Sequence, residues 1–132
     1  MILVTGATGF IGRALVRQLS ETGQQVRVLL RPSPRSPRLP KGVPVEVSVV
    51  SLNDERGVRA ALRGVDEIYH LASAAAQGRR GSLLKTDIEG TRTLAQVAAS
   101  ADIKRLVFLS HIGADRASAF PVHKSKGIAE EH

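Results

Sequence analysis

The chain has 132 residues, 19 basic and 12 acidic side chains, no cysteine and no tryptophan, and a formal net charge of +7. That length suits one domain with a core of its own, and the lack of cysteine excludes a disulfide framework or a thiolate metal site. The apolar runs are too short for a membrane-spanning helix, and "MILVTG" enters a strand pattern without a basic leader, so the expectation is a soluble cytoplasmic protein.

In chain order, "MILVT" (1–5) is an apolar run that suits a buried strand. "GFIGRALVRQLSETG" (9–23) places Ile11, Leu15, Val16 and Leu19 at helical spacing and ends on a glycine. "QVRVLL" (25–30) predicts a second strand and "VPVEVSVV" (43–50) a third, with a proline-rich loop between them that no helix or central strand survives. Residues 53–64 read as a helix capped by Asn53 or Asp54 and stopped by Gly64. A fourth strand, "VDEIYHLAS" (65–73), follows. A long helix over 82–100 is predicted next, capped by Ser82, with Leu84, Ile88, Thr91, Ala95 and Ala98 on one face. "KRLVFLS" (104–110) is a fifth strand, and 119–132 opens a last helix. Strands with continuous apolar runs alternating with helices predict a Rossmann-like, doubly wound parallel sheet of order 3-2-1-4-5, covered on both faces, over residues 1–132.

The basic side chains Arg31, Arg35, Arg38 and Lys41 crowd into residues 31–41, where there is no acid. Charge so concentrated marks one local site rather than a broad nucleic-acid face. Phe10, Phe108, Phe120 and Tyr69 are the only aromatics, too few for a platform that stacks single strands. The histidines, His70, His111, His123 and His132, are scattered, so no metal site is expected.

Between the first strand and first helix, "VTGATGFIG" spaces Gly6, Gly9 and Gly12 three apart. Gly6 permits a sharp turn off the strand, Gly9 lets backbone N–H groups approach a pyrophosphate, and Gly12 lets helix and strand pack closely. Placed between a strand and an amphipathic helix, the triplet predicts a dinucleotide site, with Thr8, Phe10 and Ile11 completing the loop. An acid at the end of the second strand would bond the 2′-hydroxyl of NAD, whereas arginine accommodates the 2′-phosphate of NADP. Arg31 stands there, with Arg35 and Arg38 behind it, so NADP(H) is favoured over NAD(H); Lys41 reads as a solvated loop charge.

"TGATGFIG", "IYHLAS", "DIEGTRTL" and "RLVFLSHIGA" together resemble the short-chain dehydrogenase/reductase superfamily in its extended and atypical branches, the NAD-dependent epimerase/dehydratase and NmrA-like proteins. The resemblance implies that Leu71, Ala72 and Ser73 border the cofactor. Ser51 and Leu52 stand where relatives carry an adenine-reading Asp, with Asp54 a shifted substitute, and Asp87 stands where many carry an asparagine. It places Lys126 of "FPVHKSKG" on the family lysine that holds the nicotinamide ribose, and Val122 where the proton-donating tyrosine belongs. Tyr69, the only tyrosine, lies in the fourth strand. Ser110 and His111 fall near the family serine, and His111 or His123 could act as a substitute acid. Two functions therefore stay open: an NADP(H)-dependent oxidoreductase or epimerase-like enzyme acting on a small molecule, or a non-catalytic NAD(P)-binding sensor, regulator or assembly factor. The resemblance also implies a homodimer through helices 82–100 and 119–132, a substrate-binding region beyond those quoted motifs, and a fifth strand with an uncovered edge.

Overall fold

Ile2–Thr5 form β1, and all four residues are buried because the strand lies at the centre of a sheet with helices on both faces. The computed structural model describes residues 1–132, apart from the side chains of Arg79 and Arg80. The sheet runs in the order β3-β2-β1-β4-β5, with β2 at Val26–Leu30, β3 at Glu46–Val49, β4 at Glu67–His70 and β5 at Arg105–Phe108. Every pairing is parallel, with Val4 opposite Val28 on one side and Tyr69 on the other. This is the predicted doubly wound sheet.

Alternation along the strands builds two cores. Ile2, Val4, Val26, Val28 and Leu30 face α1 (Phe10–Glu21), where Val16 is fully buried among them. Leu3, Leu29 and Ile68 face the other way, against Val58 of α2 (Glu55–Ala61) and Leu94 and Val97 of α3 (Gly90–Ala99). Each such side chain contributes about 1.5–3 kcal/mol relative to exposure. Of the two predicted caps for α2, Asp54 is used: its Oδ1 accepts the Gly57 N–H at 3.0 Å.

The helix predicted over 82–100 keeps its Ser82 cap, whose Oγ accepts the Lys85 N–H at 3.2 Å. Its inward face differs from the predicted one. Leu84–Glu89 wind as a π-helical segment ahead of α3, and the buried residues are Asp87, Gly90, Thr91, Leu94, Val97 and Ala98, while Leu84 is exposed. The wide turn carries one more residue than an α-turn and displaces the stripe. Asp87 also takes an inward position that an apolar pattern would refuse. A short 3₁₀ segment, Ala75–Arg80, follows β4 where no element was expected. The last helix, α4 (Pro121–Ala129), starts on a proline and packs on the π-helical segment. At the edges, β3 exposes Val47 and Val49, β5 exposes Val107, and Leu109 is exposed just past its end. No helix is long and apolar enough to cross a membrane among the described residues.

Candidate cofactor site

The turn that ends β1 is made of backbone. Gly6 has φ +70°, and a Cβ there would lie 2.6 Å from the Leu71 carbonyl carbon and 2.7 Å from the Ala72 nitrogen. Gly12 packs so tightly against the turn that a Cβ would collide with the Gly6 carbonyl oxygen and stand 2.8 Å from Ala7 Cα. Gly9 is different: a Cβ there would meet only the Gly6 oxygen, at 3.3 Å, with open space beyond. Gly9 is the N-cap of α1, no side chain caps the helix, and no acid stands in its first turn. The N–H groups of the first turn and the positive end of the helix dipole are therefore available to an anion. Thr8, Phe10 and Ile11 are all exposed around this cradle. A pyrophosphate fits it.

On the β2 side of the cradle Arg31 is exposed, and its Nη1 donates to Gln77 Oε1 at 2.9 Å. Gln77 Nε2 in turn donates to the Ser73 carbonyl at 3.4 Å. Arg35, Arg38 and Lys41 lie exposed along the proline-rich loop. The residues after β3 are largely committed elsewhere. Ser51 Oγ accepts the Asn53 N–H at 3.3 Å, Leu52 packs against the second core beside Gly90, and the Asp54 carboxylate caps α2. Asp54 is thus a helix cap before it is anything else.

On the β4–β5 side a buried polar hub sits beneath the site. His70 is fully buried, with Nδ1 2.6 Å from Thr5 Oγ1 and Nε2 2.9 Å from Thr91 Oγ1, and its ring stacks on Phe108. The Ala72 N–H also donates to Thr5 Oγ1, at 3.2 Å, which ties the end of β4 to the end of β1 beside the glycine turn. Burial pushes the His70 imidazole down to about 4, helped by the Lys126 charge and opposed by Asp87. Between pH 6.5 and 4 the unfolded chain accepts a proton that the folded one refuses, so stability falls as pH is lowered. Urea unfolding of the parent should show a loss of about 2–3 kcal/mol between pH 7 and pH 4.5 that is missing in His70→Asn.

Asp87, fully buried, accepts from Ser73 Oγ at 2.6 Å and from the Ala74 N–H at 2.8 Å, and pairs with Lys126 Nζ at 3.3 Å. Lys126 is only 5% exposed; its ammonium donates to the Leu109 carbonyl at 3.2 Å and lies 4.7 Å from the centre of the Phe108 ring. The predicted ribose-holding lysine is therefore engaged by the Leu109 carbonyl, the Asp87 carboxylate and the Phe108 ring. Beside it Ser110 Oγ is buried without a hydrogen-bond partner among the described residues, a hydroxyl that a ligand oxygen would satisfy. Val122 lines an open cleft of about 500 Å³ with Ala75, His111, Phe120, Pro121 and His123. The two imidazole rings there are 4.8 Å apart, and His111 Nδ1 lies 2.7 Å from the Ile112 carbonyl oxygen. Tyr69 packs against the α1-side core and is not among the residues lining this cleft. Among the described residues no group of three or more His, Asp or Glu could hold a metal ion.

The structure thus brings Gly6, Gly9 and Gly12 together with Leu71 and Ala72, and Lys126 to the carbonyl of Leu109, the residue before Ser110. Gln77, Thr5, His70 and Thr91 escaped sequence reasoning as site residues. Thr5 lies inside the glycine motif, His70 inside "IYHLAS" and Thr91 inside "DIEGTRTL", whereas Gln77 lies in none of them; what each touches depends on where distant segments meet.

Residues 6–131 match a family model described as NAD(P)H-binding. The chain is 40% identical over 114 residues to sterol demethylase protein B of Methylococcus capsulatus, covering 85% of this chain and 34% of that protein. It is 37% identical over 113 residues to a putative dihydroflavonol 4-reductase of Synechocystis, covering 84% and 32%. A crystal structure of a short-chain dehydrogenase/reductase superfamily protein from Agrobacterium tumefaciens with bound NAD superimposes with a TM-score of 0.78 at 31% identity, covering 99% of this chain and 43% of that one. The chain spans about a third of the length of those two curated relatives. With the glycine cradle, the 3-2-1-4-5 sheet and these likenesses in place, the chain belongs to the NAD(P)H-binding family within the short-chain dehydrogenase/reductase and NAD-dependent epimerase superfamily, and corresponds to its Rossmann portion.

Proposed function

We propose that this domain binds NADP(H) in preference to NAD(H) and serves an oxidoreductase acting on a carbonyl or alcohol substrate. The observation that carries the preference is Arg31, exposed at the carboxyl end of β2 with no acid between Glu21 and Glu46. First-turn N–H groups of α1 would grip the pyrophosphate, and the Arg31 guanidinium would hold the 2′-phosphate through charge-assisted hydrogen bonds. When bound, the nicotinamide supplies a two-electron redox centre. Ser110 Oγ would orient a ligand oxygen, and Lys126, pinned by Asp87 and Leu109, would fix the β5 end of the site rather than reach freely into it. Val122 has no proton to exchange, so His111 and His123 are the side chains of the same cleft able to supply one.

Val122 also favours a second reading, a cofactor-binding sensor whose output is a protein contact. Side-by-side titration with NADPH and NADH tests the first reading. Arg31→Ala should weaken NADPH by about 10–100-fold, the value of lost charged hydrogen bonds, and leave NADH within about 2-fold. Equal losses for both overturn the arginine assignment. Turnover of a carbonyl panel that disappears in His111→Ala or His123→Ala supports the enzyme; tight NADPH binding with no turnover supports the sensor.

A further inference from the structure

β1 lies between β2 and β4 in the sheet, so a bond from the residue after β2 to a residue beyond β4 crosses the carboxyl end of β1. The Arg31–Gln77 hydrogen bond does this, and so spans the mouth of the glycine cradle. Its far end is anchored. Gln77 Nε2 donates to the Ser73 carbonyl, Ser73 Oγ to Asp87 Oδ1, and the Ala74 N–H to Asp87 Oδ2, with Asp87 fully buried. Gln77 therefore stands on a 3₁₀ segment whose start is pinned to the hub of the domain.

The chemistry of this partner matters more than its strength. A guanidinium carries five N–H donors, and the Gln77 amide oxygen engages Nη1 alone. None of the ion pairs among the described residues involves Arg31. An amide orients the guanidinium without cancelling its charge, which leaves its other donors and its full positive charge for a phosphate. A carboxylate of the same shape would cancel that charge and repel a phosphate. It would also offer an acceptor to a ribose hydroxyl, the arrangement that favours NAD.

We propose that Gln77 is a specificity-determining positioning residue: across the mouth of the cradle it presents Arg31 to the 2′-phosphate, and its neutrality is what keeps the site selective for the phosphorylated dinucleotide. This rests on the NADP(H) reading above. The test is titration of the 132-residue chain and its Gln77→Glu, Gln77→Ala and Arg31→Ala variants with NADPH and NADH, followed by calorimetry, with thermal melts recorded by circular dichroism. Gln77→Glu should weaken NADPH by about 10-fold or more while NADH holds or tightens. Gln77→Ala should weaken NADPH by about 2–5-fold with NADH unchanged, as orientation is lost but charge is kept. The melts should stay close to the parent value, because the Gln77 side chain is only half-buried and one of its two hydrogen-bond partners is the exposed Arg31. An unaltered NADPH-to-NADH ratio in Gln77→Glu, alongside a selective NADPH loss in Arg31→Ala, overturns the role of Gln77 and spares the cofactor reading. Equal losses of the two dinucleotides in Arg31→Ala overturn the cofactor reading itself, and this inference with it.

Discussion

Lys126→Met is expected to destabilise the domain by about 3–5 kcal/mol, the cost of leaving a buried charge without its partner. The stranded group would be Asp87, fully buried and 3.3 Å from the lost ammonium. Its two other contacts, Ser73 Oγ and the Ala74 N–H, are neutral donors that stabilise a carboxylate only in part. The methionine itself replaces the aliphatic stem at similar volume, so a cavity explains little of the loss. The control is the double variant Lys126→Met/Asp87→Asn. It removes both charges and keeps an acceptor for the Ala74 N–H, so most of the loss should be recovered. Urea midpoints of the parent, the single and the double variant at pH 7 measure this. A double variant no more stable than Lys126→Met would mean that the pair stabilises through packing of α4 and not through charge.

Gly12→Ala is expected to cost about 3 kcal/mol and to weaken dinucleotide binding by about 10-fold or more. The added methyl would overlap the Gly6 carbonyl oxygen and press on Ala7 Cα, both backbone, so no side-chain rotation relieves it. Either α1 moves away from β1, opening the contact around Val16, or the turn deforms and its N–H groups lose their aim. Gly9→Ala is the informative comparison. Its methyl meets only the Gly6 oxygen, at 3.3 Å, so the fold should survive while the pyrophosphate loses its close approach. Denaturation midpoints and NADPH titrations of the two variants should therefore separate: Gly12→Ala fails in both measurements, and Gly9→Ala in binding alone. Equal stability of Gly12→Ala and the parent would show that the helix has room to shift at negligible cost.

Much of this was written in local chemistry. Each central strand is a short apolar run, the glycine triplet sits between strand and amphipathic helix, and Arg31 follows the second strand by one residue. Such signals are carried by neighbours in sequence, since periodicity, turns and caps act over a few residues. They were enough to place β1 to β5, their order and the glycine turn between β1 and α1. The long helix shows the limit. Its apolar spacing pointed to Leu84, Ile88 and Ala95, but Asp87 is the residue turned inward, because Ser73, Ala74 and Lys126 are there to satisfy it. No periodicity rule assigns a carboxylate to a core whose partners come from two other segments.

The hub and the strap across the cradle belong to the same class. Thr5 and His70 are 65 residues apart, and Arg31 and Gln77 are 46 apart. A hydrogen bond between such groups exists only after parallel pairing has brought the ends of β1, β2 and β4 to one edge. Residue type and spacing were sufficient for the architecture and for the tight glycine turn at the end of β1. Which polar groups meet there, whether Lys126 is free or held, and what stands opposite Arg31 were settled by long-range packing, because burial and electrostatic pairing depend on distances in space that chain separation does not encode.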